Sequence, residues 1–221
     1  MDRKQELFDY ESLAFFGSVN ASISHELKNI MAIISETAGF LNDLAKMAKG
    51  GAAIEPDMLT STTDSIIEEI QRGFTTIRQM NRFSHSVDTS VGPIDLMVIL
   101  DLVRNLCGYL SFAGKMHIRP VDGRITPIVL TCPFILQAII YQVAFQAFQN
   151  EGPGAELYVS VQSRDDPTWQ ILFGGFRNKA FELRPTDRIN RMAVLIGVST
   201  HWDHAAGGME INVPFSIEGV A

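Results

Sequence analysis

Two long helical stripes of apolar residues occupy the first 85 residues and constrain the fold more than any other feature. Within residues 10–49 no proline occurs, and apolar side chains recur at steps of three and four: Phe16, Val19, Ile23, Leu27, Ile30, Ile34, Ala38 and Leu41. Gly50 and Gly51 then predict a helix end, and Pro56 a helix start. A second helix over 57–85 repeats the pattern. The short connection predicts an antiparallel hairpin.

A hairpin of two helices has little core of its own, so the long apolar stripes need a further partner. Two hairpins could bury their stripes together as a four-helix bundle, and we therefore predict a homodimer. The alternative is that the same stripes pack on the rest of the chain.

The sequence pattern of the remainder of the chain differs from that of the helical region. Residues 86–93 are polar and turn-rich, which predicts a boundary between a helical domain over 1–88 and a second domain over 89–221. The second domain is predicted to contain helices over 95–113, 134–149 and 186–202. Strands are predicted over 117–121, 125–131, 155–162, 168–173 and 208–215, with a turn at 165–167. Helices interleaved with an antiparallel-leaning sheet make the fold class α+β.

Charge and composition exclude several classes of protein. The net charge of −7 disfavours a nucleic-acid partner. No apolar run approaches the roughly 20 residues that a transmembrane helix needs, and we expect a cytoplasmic protein with no membrane partner. Cys107 and Cys132 form no Cys-x-x-Cys pattern. We interpret them as two buried thiols, with a disulfide as the alternative.

His25 is the residue whose surroundings suggest chemistry. It lies about 200° around the first helix from Ile23, away from the centre of the apolar stripe. Its own face carries small or polar residues, which would let a large partner approach: Ser18, Ser22, Asn29 and Ala32. A neutral imidazole is a competent nucleophile near pH 7, so this histidine suits phosphoryl transfer.

Two neighbours of His25 are candidates for supporting roles. Glu26 could accept the proton of one ring nitrogen and fix the tautomer, and Asn29 could bind a phosphoryl oxygen or orient a water molecule. From spacing alone, an ordinary surface histidine on a solvated helix is the favoured interpretation.

Several segments resemble the histidine kinases of two-component systems, in the correct order. Residues 24–29, Ser-His-Glu-Leu-Lys-Asn, resemble the phosphoacceptor motif of the dimerisation domain, and 77–84 resemble the end of its second helix. Residues 93–96, 134–147, 155–161 and 204–211 resemble successive parts of the ATP-binding domain. Ile30 stands where such kinases usually have proline. The resemblance implies that a phosphoacceptor hairpin precedes an α/β-sandwich domain of the ATPase type.

The second domain departs from that family where ATP would bind. Gln142 and Gln146 stand at the positions of the two asparagines that hold Mg²⁺ and phosphates, and their extra methylene displaces each amide oxygen. The segment 169–176 lacks the aspartate that would accept a hydrogen bond from adenine, and 187–195 replaces the glycine-rich loop. Gly174 and Gly175 read as a turn. We therefore expect a degenerate domain without ATP binding.

Four functions remain open on this basis. The first is a histidine phosphotransferase, in which His25 relays a phosphoryl group between response-regulator receivers that carry their own Mg²⁺. Docking would then use Ser18, Ser22, Lys28 and Ala32, and the degenerate domain would add a second receiver contact. The others are a response-regulator phosphatase that uses Asn29, a non-enzymatic dimeric scaffold, and an atypical kinase. His201 and His204 form a possible metal pair, but no further ligands are evident and no metal is expected.

Overall fold

The computed structural model describes residues 3–110, 114–119, 121, 125–164, 167–177, 183–205 and 207–216, with side chains from Tyr10 onward. Two compact units are present. One is Val19–Asn81, and the other combines Met1–Ser18 with Arg82–Ala221. These units differ from the expected segments 1–88 and 89–221, because the start of α1 and the end of α2 belong to the same unit as the sheet domain.

The unit Val19–Asn81 is a helical hairpin. Helix α1 spans Arg3–Lys49 and helix α2 spans Pro56–His85. Only six residues connect them, which makes the helices antiparallel. Within this unit the buried residues of α1 include Ile23, Ile30 and Leu44, which are spaced at multiples of seven, and those of α2 are Thr62, Gly73 and Thr76. Gly73 faces the Ile30 side chain of α1. The predicted hairpin is confirmed.

The other unit is built on a mixed five-stranded sheet. Its elements are β1 (Gly92–Asp95), α3 (Leu96–Cys107), β2 (Lys115–Ile118), β3 (Ile128–Thr131), α4 (Pro133–Glu151), β4 (Glu156–Ser163), β5 (Thr168–Gly174), α5 (Asp187–Leu195), β6 (Ser199–Asp203) and β7 (Gly208–Pro214). The strand order is β2-β4-β5-β7-β6, and β1 pairs separately with β3. Among the described strands of this sheet, β2 and β4 pair in parallel and the other neighbours are antiparallel. The α+β class is confirmed.

Alternation along the strands gives the sheet one apolar face and one polar face. Val161, Ile171 and Ile211 lie side by side in register and are buried with the apolar residues of α3, α4 and α5. The next residues along each strand, such as Gln162 and Gln170, point to the opposite face. One face of the sheet therefore forms the core of this unit.

An aromatic cluster ties the start of α1 and the end of α2 to this core. Phe15 and Phe83 are fully buried, with ring centroids 5.5 Å apart. The Phe15 ring also lies 5.4 Å from Phe134 and 5.4 Å from Tyr141, both on α4. Rings at such distances gain from both packing and aromatic geometry. This cluster is the physical reason that 1–18 and 82–88 belong to the second unit.

Three sequence predictions need correction or extension. The helix predicted over 186–202 ends at Leu195, because Gly197 adopts a positive φ of 64° and β6 then pairs with β7. Strand β1 begins within the segment 86–93, which was read as a turn-rich boundary, and ends at Asp95, which caps α3 by accepting a hydrogen bond from the Met97 amide at 2.8 Å. The helix predicted over 95–113 ends at Cys107 and is followed by a turn. The predicted turn at 165–167 lies largely outside the described residues, as do 111–113.

Candidate functional site

His25 lies on α1 with its imidazole exposed to solvent. The side-chain amide nitrogen of Asn29, one helical turn further on, lies 3.2 Å from Nδ1 of His25. Residues four apart share a helix face, so this contact follows from helical geometry. The structure thus brings together two of the three residues predicted to be catalytic.

The Asn29 amide bears directly on the His25 tautomer. When its NH₂ group donates to Nδ1, the proton of a neutral imidazole is on Nε2. Rotation of the amide by 180° would present the carbonyl oxygen instead, which would hold the proton on Nδ1 and free the Nε2 lone pair. Asn29 can therefore stabilise either neutral form of the ring.

Glu26 has a different partner from the one expected. Its carboxylate is mostly buried and accepts a hydrogen bond from the guanidinium of Arg72 on α2. Glu69 also pairs with Arg72, with 3.2 Å between Oε2 of Glu69 and Nη1 of Arg72. Burial by itself lowers the pKa of Arg72, but the hydrogen bond and charge of Glu26, with those of Glu69, outweigh it and raise that pKa. The contact to the imidazole comes from Asn29, and Glu26 joins the two helices.

The four predicted docking residues differ in their exposure. Lys28 and Ala32 are exposed on α1, and Ser22 is half-buried. Ser18 is exposed, donates a hydrogen bond to the Phe15 carbonyl at 2.8 Å, and belongs to the other compact unit. The hairpin unit itself therefore presents Lys28 and Ala32 beside the exposed imidazole.

A second, exposed set of apolar residues follows helix α2, and sequence reading did not separate it from the buried one. We name it the hairpin stripe. Its members recur at steps of three and four and are between 41% and 59% exposed: Ile67, Ile70, Phe74 and Ile77. Single exposed apolar residues are common on surfaces, but four at this spacing on one face of a helix are typical of an interface.

The expected remnants of a nucleotide site lie on α4 and after β5. Gln142 and Gln146 are half-buried on α4, and the Gln146 carbonyl accepts a hydrogen bond from Asn150 at 2.7 Å. Gly174 ends β5. Gly175 has φ of 93°, and a Cβ there would lie 2.4 Å from the Glu156 carbonyl oxygen, so a turn explains this glycine pair.

Sequence reading missed a contact between α5 and α1. Arg188 donates to the Glu11 carbonyl oxygen, and Arg191 pairs with the Glu11 carboxylate. The second of these contacts raises the pKa of Arg191. Both arginines lie in the segment that replaces the glycine-rich loop. No periodicity argument could have linked positions so far apart in the sequence.

The remaining histidines have individual surroundings. His201 on β6 pairs with Glu210 at 2.6 Å, and His204 lies in the turn that follows. His85 pairs with Asp88 at 2.7 Å, and His117 stacks on Tyr158. Across the residues that the structure describes, no group of three or more His, Cys, Asp or Glu side chains could hold a metal ion.

The two cysteines are free thiols, not a disulfide. Cys107 is fully buried, and burial raises the pKa of its thiol far above the ordinary value. Cys132 is half-buried rather than buried, and its pKa is raised for the same reason. Among the described helices, none is long and apolar enough to cross a membrane.

Comparison with known proteins gives likeness only at the level of structure. No family model matches the chain, and no curated protein matches its sequence. The chain is similar to histidine kinase AdeS of Acinetobacter baumannii, with 8% identity over 86% of this chain and 98% of that one and a TM-score of 0.41. It is similar to the ATP-binding domain of PrrB from Mycobacterium tuberculosis, with 15% identity over 57% and 97% and a TM-score of 0.44.

A third similar structure is histidine kinase ThkA in complex with response regulator protein TrrA, with 15% identity over 99% of this chain and 69% of that one and a TM-score of 0.42. These solved structures belong to the class that the sequence motifs resemble. Likeness with TM-scores below 0.5 does not carry function from one protein to another, so His25 and its surroundings have to support any functional assignment.

Proposed function

We propose that the chain is a histidine phosphotransferase of a two-component phosphorelay, with His25 as the phosphoacceptor. The observation that carries the proposal is an exposed imidazole whose Nδ1 lies 3.2 Å from the Asn29 amide, on a helix face with small and polar neighbours. The resemblance of residues 24–29 to the phosphoacceptor motif of histidine kinases supports the same assignment.

The chemistry is a reversible exchange between an aspartyl phosphate and the imidazole. The lone pair of the unprotonated ring nitrogen attacks phosphorus, and a nitrogen–phosphorus bond forms as the bond from phosphorus to the receiver's aspartate oxygen breaks. The aspartate leaves as a carboxylate, and the proton stays on the other ring nitrogen. Transfer to the aspartate of a second receiver reverses these steps, with Mg²⁺ supplied by the receiver.

The partners of this function are receiver domains and a second copy of the chain. Receiver docking would use the α1 face around His25, where Lys28 and Ala32 are exposed, together with Ser22 and Ser18. A second copy would cover the hairpin stripe and complete a four-helix bundle. The substitution of glutamine at positions 142 and 146 supports a protein that receives its phosphoryl group from another protein rather than from ATP.

Phosphoryl transfer from ³²P-labelled receiver domains tests the proposal. We expect label on the wild-type chain that is labile to acid and stable to base, and none on His25→Ala. His85→Ala is the matched control, because it removes another exposed histidine and should keep the label. Label that persists on His25→Ala, or that is absent from the wild type with every receiver tried, contradicts the proposal.

A response-regulator phosphatase is the second candidate, and the position of Asn29 favours it. An amide beside the imidazole could orient a water molecule that attacks the receiver's aspartyl phosphate. This function predicts that label leaves the receiver as free phosphate, and that Asn29→Ala abolishes the loss. A scaffold would bind receivers equally well as wild type and as His25→Ala, without any transfer.

The degenerate nucleotide site is tested by titration with Mg-ATP. We expect no binding in the micromolar range, because Gln142 and Gln146 misplace the amide oxygens that would hold the metal and phosphates. Micromolar binding that is weakened by Gln142→Ala would support the atypical kinase instead.

A further inference from the structure

The polar face of the five-stranded sheet contains a second candidate site, distant in sequence from His25. Strand register places polar side chains of four strands next to one another on this face. Gln162 lies opposite Gln170, which lies opposite Asn212, and Glu210 lies opposite His201 on β6. Helices α3, α4 and α5 are buried against the other face, so these side chains surround an open surface.

An open cavity of about 460 Å³ lies over this part of the sheet. Its lining is polar throughout: Gln162, Ser163, Arg164, Gln170, His201, Asp203 and Glu210. The volume falls within the range of small-molecule sites, roughly 300–1,000 Å³. Neither Gln142 nor Gln146 lines it.

Two of the lining side chains are polar and nonetheless buried. Gln170 is 4% exposed and Glu210 is 8% exposed. Burial of such groups is unfavourable unless they are paired. The Gln170 carbonyl oxygen accepts a hydrogen bond from the Gln162 amide. Gln162 retains its own carbonyl oxygen and Gln170 its own NH₂ group, so the two amides together offer one acceptor and one donor.

The Glu210 carboxylate has one oxygen engaged within the protein. His201 Nε2 lies 2.6 Å from Oε2, and Arg164 Nη1 lies 3.8 Å from the same atom. Among the described residues, neither of these two pairs involves Oε1 of Glu210. A buried carboxylate with one oxygen remaining is suited to a cationic donor such as an ammonium group.

Arg164 supplies the opposite charge at the same cavity. Its side chain is about half exposed, and its contacts to Asn212 Oδ1 at 3.4 Å and to Glu210 are longer than ordinary hydrogen bonds. Because these contacts are weak, the Arg164 guanidinium retains N–H donors that could bind an anion. A carboxylate suits it, because its two oxygens match the guanidinium fork.

We propose that this cavity binds a small zwitterion, a free amino acid. The ligand carboxylate would bind Arg164, its ammonium group would bind Glu210, and an amide or hydroxyl further along would pair with Gln162 and Gln170. One cation cannot balance the several negative charges of a nucleotide, and the described residues contain no metal-binding cluster here. A zwitterion matches both charges at once.

Isothermal titration calorimetry of the protein with each of the twenty L-amino acids tests the proposal. We expect at least one to bind in the low millimolar range or tighter. Arg164→Gln and Glu210→Gln should each weaken binding about tenfold or more. Arg119→Gln is the matched control, since Arg119 lies on the same sheet face but lines a different cavity. Urea unfolding of each variant establishes that it folds.

Altered ligands give a second readout that loss of folding could not mimic. Converting the ligand carboxylate to an amide should weaken binding to the wild type but not further weaken binding to Arg164→Gln. N-acetylation should behave in the same way with Glu210→Gln. Failure of every amino acid to bind the wild type overturns the proposal. So does unchanged affinity in both variants, or binding of inorganic phosphate that depends on Arg164 alone.

Discussion

The hairpin stripe should hold two copies of the chain together, and a charge at its centre should separate them. Phe74 is the most exposed member of the stripe, at 59%, and Ile70 and Ile77 flank it one turn away on α2. We expect Phe74→Glu to convert the proposed dimer to a monomer. Glutamate is a good helix former and Phe74 has little contact within the protomer, so the hairpin itself should remain folded.

The size of the effect follows from the exposed fractions. Full burial of an Ile, Met or Phe side chain contributes roughly 1.5–3 kcal/mol, so a half-exposed one gains about 1 kcal/mol when a partner covers it. The four stripe residues on each of two protomers would together gain about 8 kcal/mol in this way. Two substituted side chains lose about 2–3 kcal/mol of this, and desolvation of two carboxylates adds a comparable penalty. The dissociation constant should rise about a thousandfold or more.

Light scattering after gel filtration measures the mass of each species over a concentration series. Val194→Glu is the matched control, because Val194 is 80% exposed on α5 and lies outside the hairpin stripe. It should leave the dimer intact, and circular dichroism should report unchanged helix content for both variants. A wild type that is monomeric at high concentration, or a Phe74→Glu variant that remains dimeric, would refute the reasoning.

Three further predictions concern stability. Phe83→Ala should lower the free energy of unfolding in urea by about 3–5 kcal/mol, because this ring is fully buried. Val87 is exposed, so Val87→Ala should change the free energy of unfolding by less than about 0.5 kcal/mol. Similar values for the two variants would contradict the aromatic core. Burial raises the pKa of Cys107, so the unfolded chain releases this proton first, and stability should fall as the pH rises above about 8.5, by up to 1.4 kcal/mol per unit. The wild type should show a steeper alkaline loss than Cys107→Ala, and equal slopes would exclude this cause. Glu26→Gln removes a partly exposed ion pair with Arg72, so its cost should stay below about 1 kcal/mol; a loss of several kcal/mol would show that the pair is a major stabilising contact.

The helical hairpin could be predicted from sequence because its signal is local and repeats many times. Together with Gly50, Gly51 and Pro56, the period of three and four residues placed both ends of α2 to within one residue. The same period did not say what each turn of α1 packs against. Phe15 and Ile23 belong to one helix, yet Phe15 packs with Phe134 and Tyr141 of α4 whereas Ile23 lies in the hairpin. A stripe predicts that a face is buried, and the partner depends on contacts that are distant in sequence.

The strand β6 shows where local pattern reading failed. The sequence analysis predicts one helix over the whole segment 186–202. Gly197 adopts a conformation that residues with a side chain rarely adopt, and it ends the helical region. Beyond it, Thr200 and Trp202 alternate with exposed neighbours and pair with β7. The glycine and the two-residue alternation were both visible in the sequence.

The neighbours of His25 illustrate a physical rule that adjacency in sequence obscures. Residues one apart on a helix diverge by about 100°, whereas residues four apart lie almost above one another. Glu26 therefore turns toward α2 and Arg72, and Asn29 reaches the imidazole. The consequence is chemical as well as geometric. A carboxylate could only accept the ring proton, but an amide can donate or accept by rotating, so Asn29 can support the imidazole as a nucleophile and equally support the phosphorylated ring or an attacking water molecule.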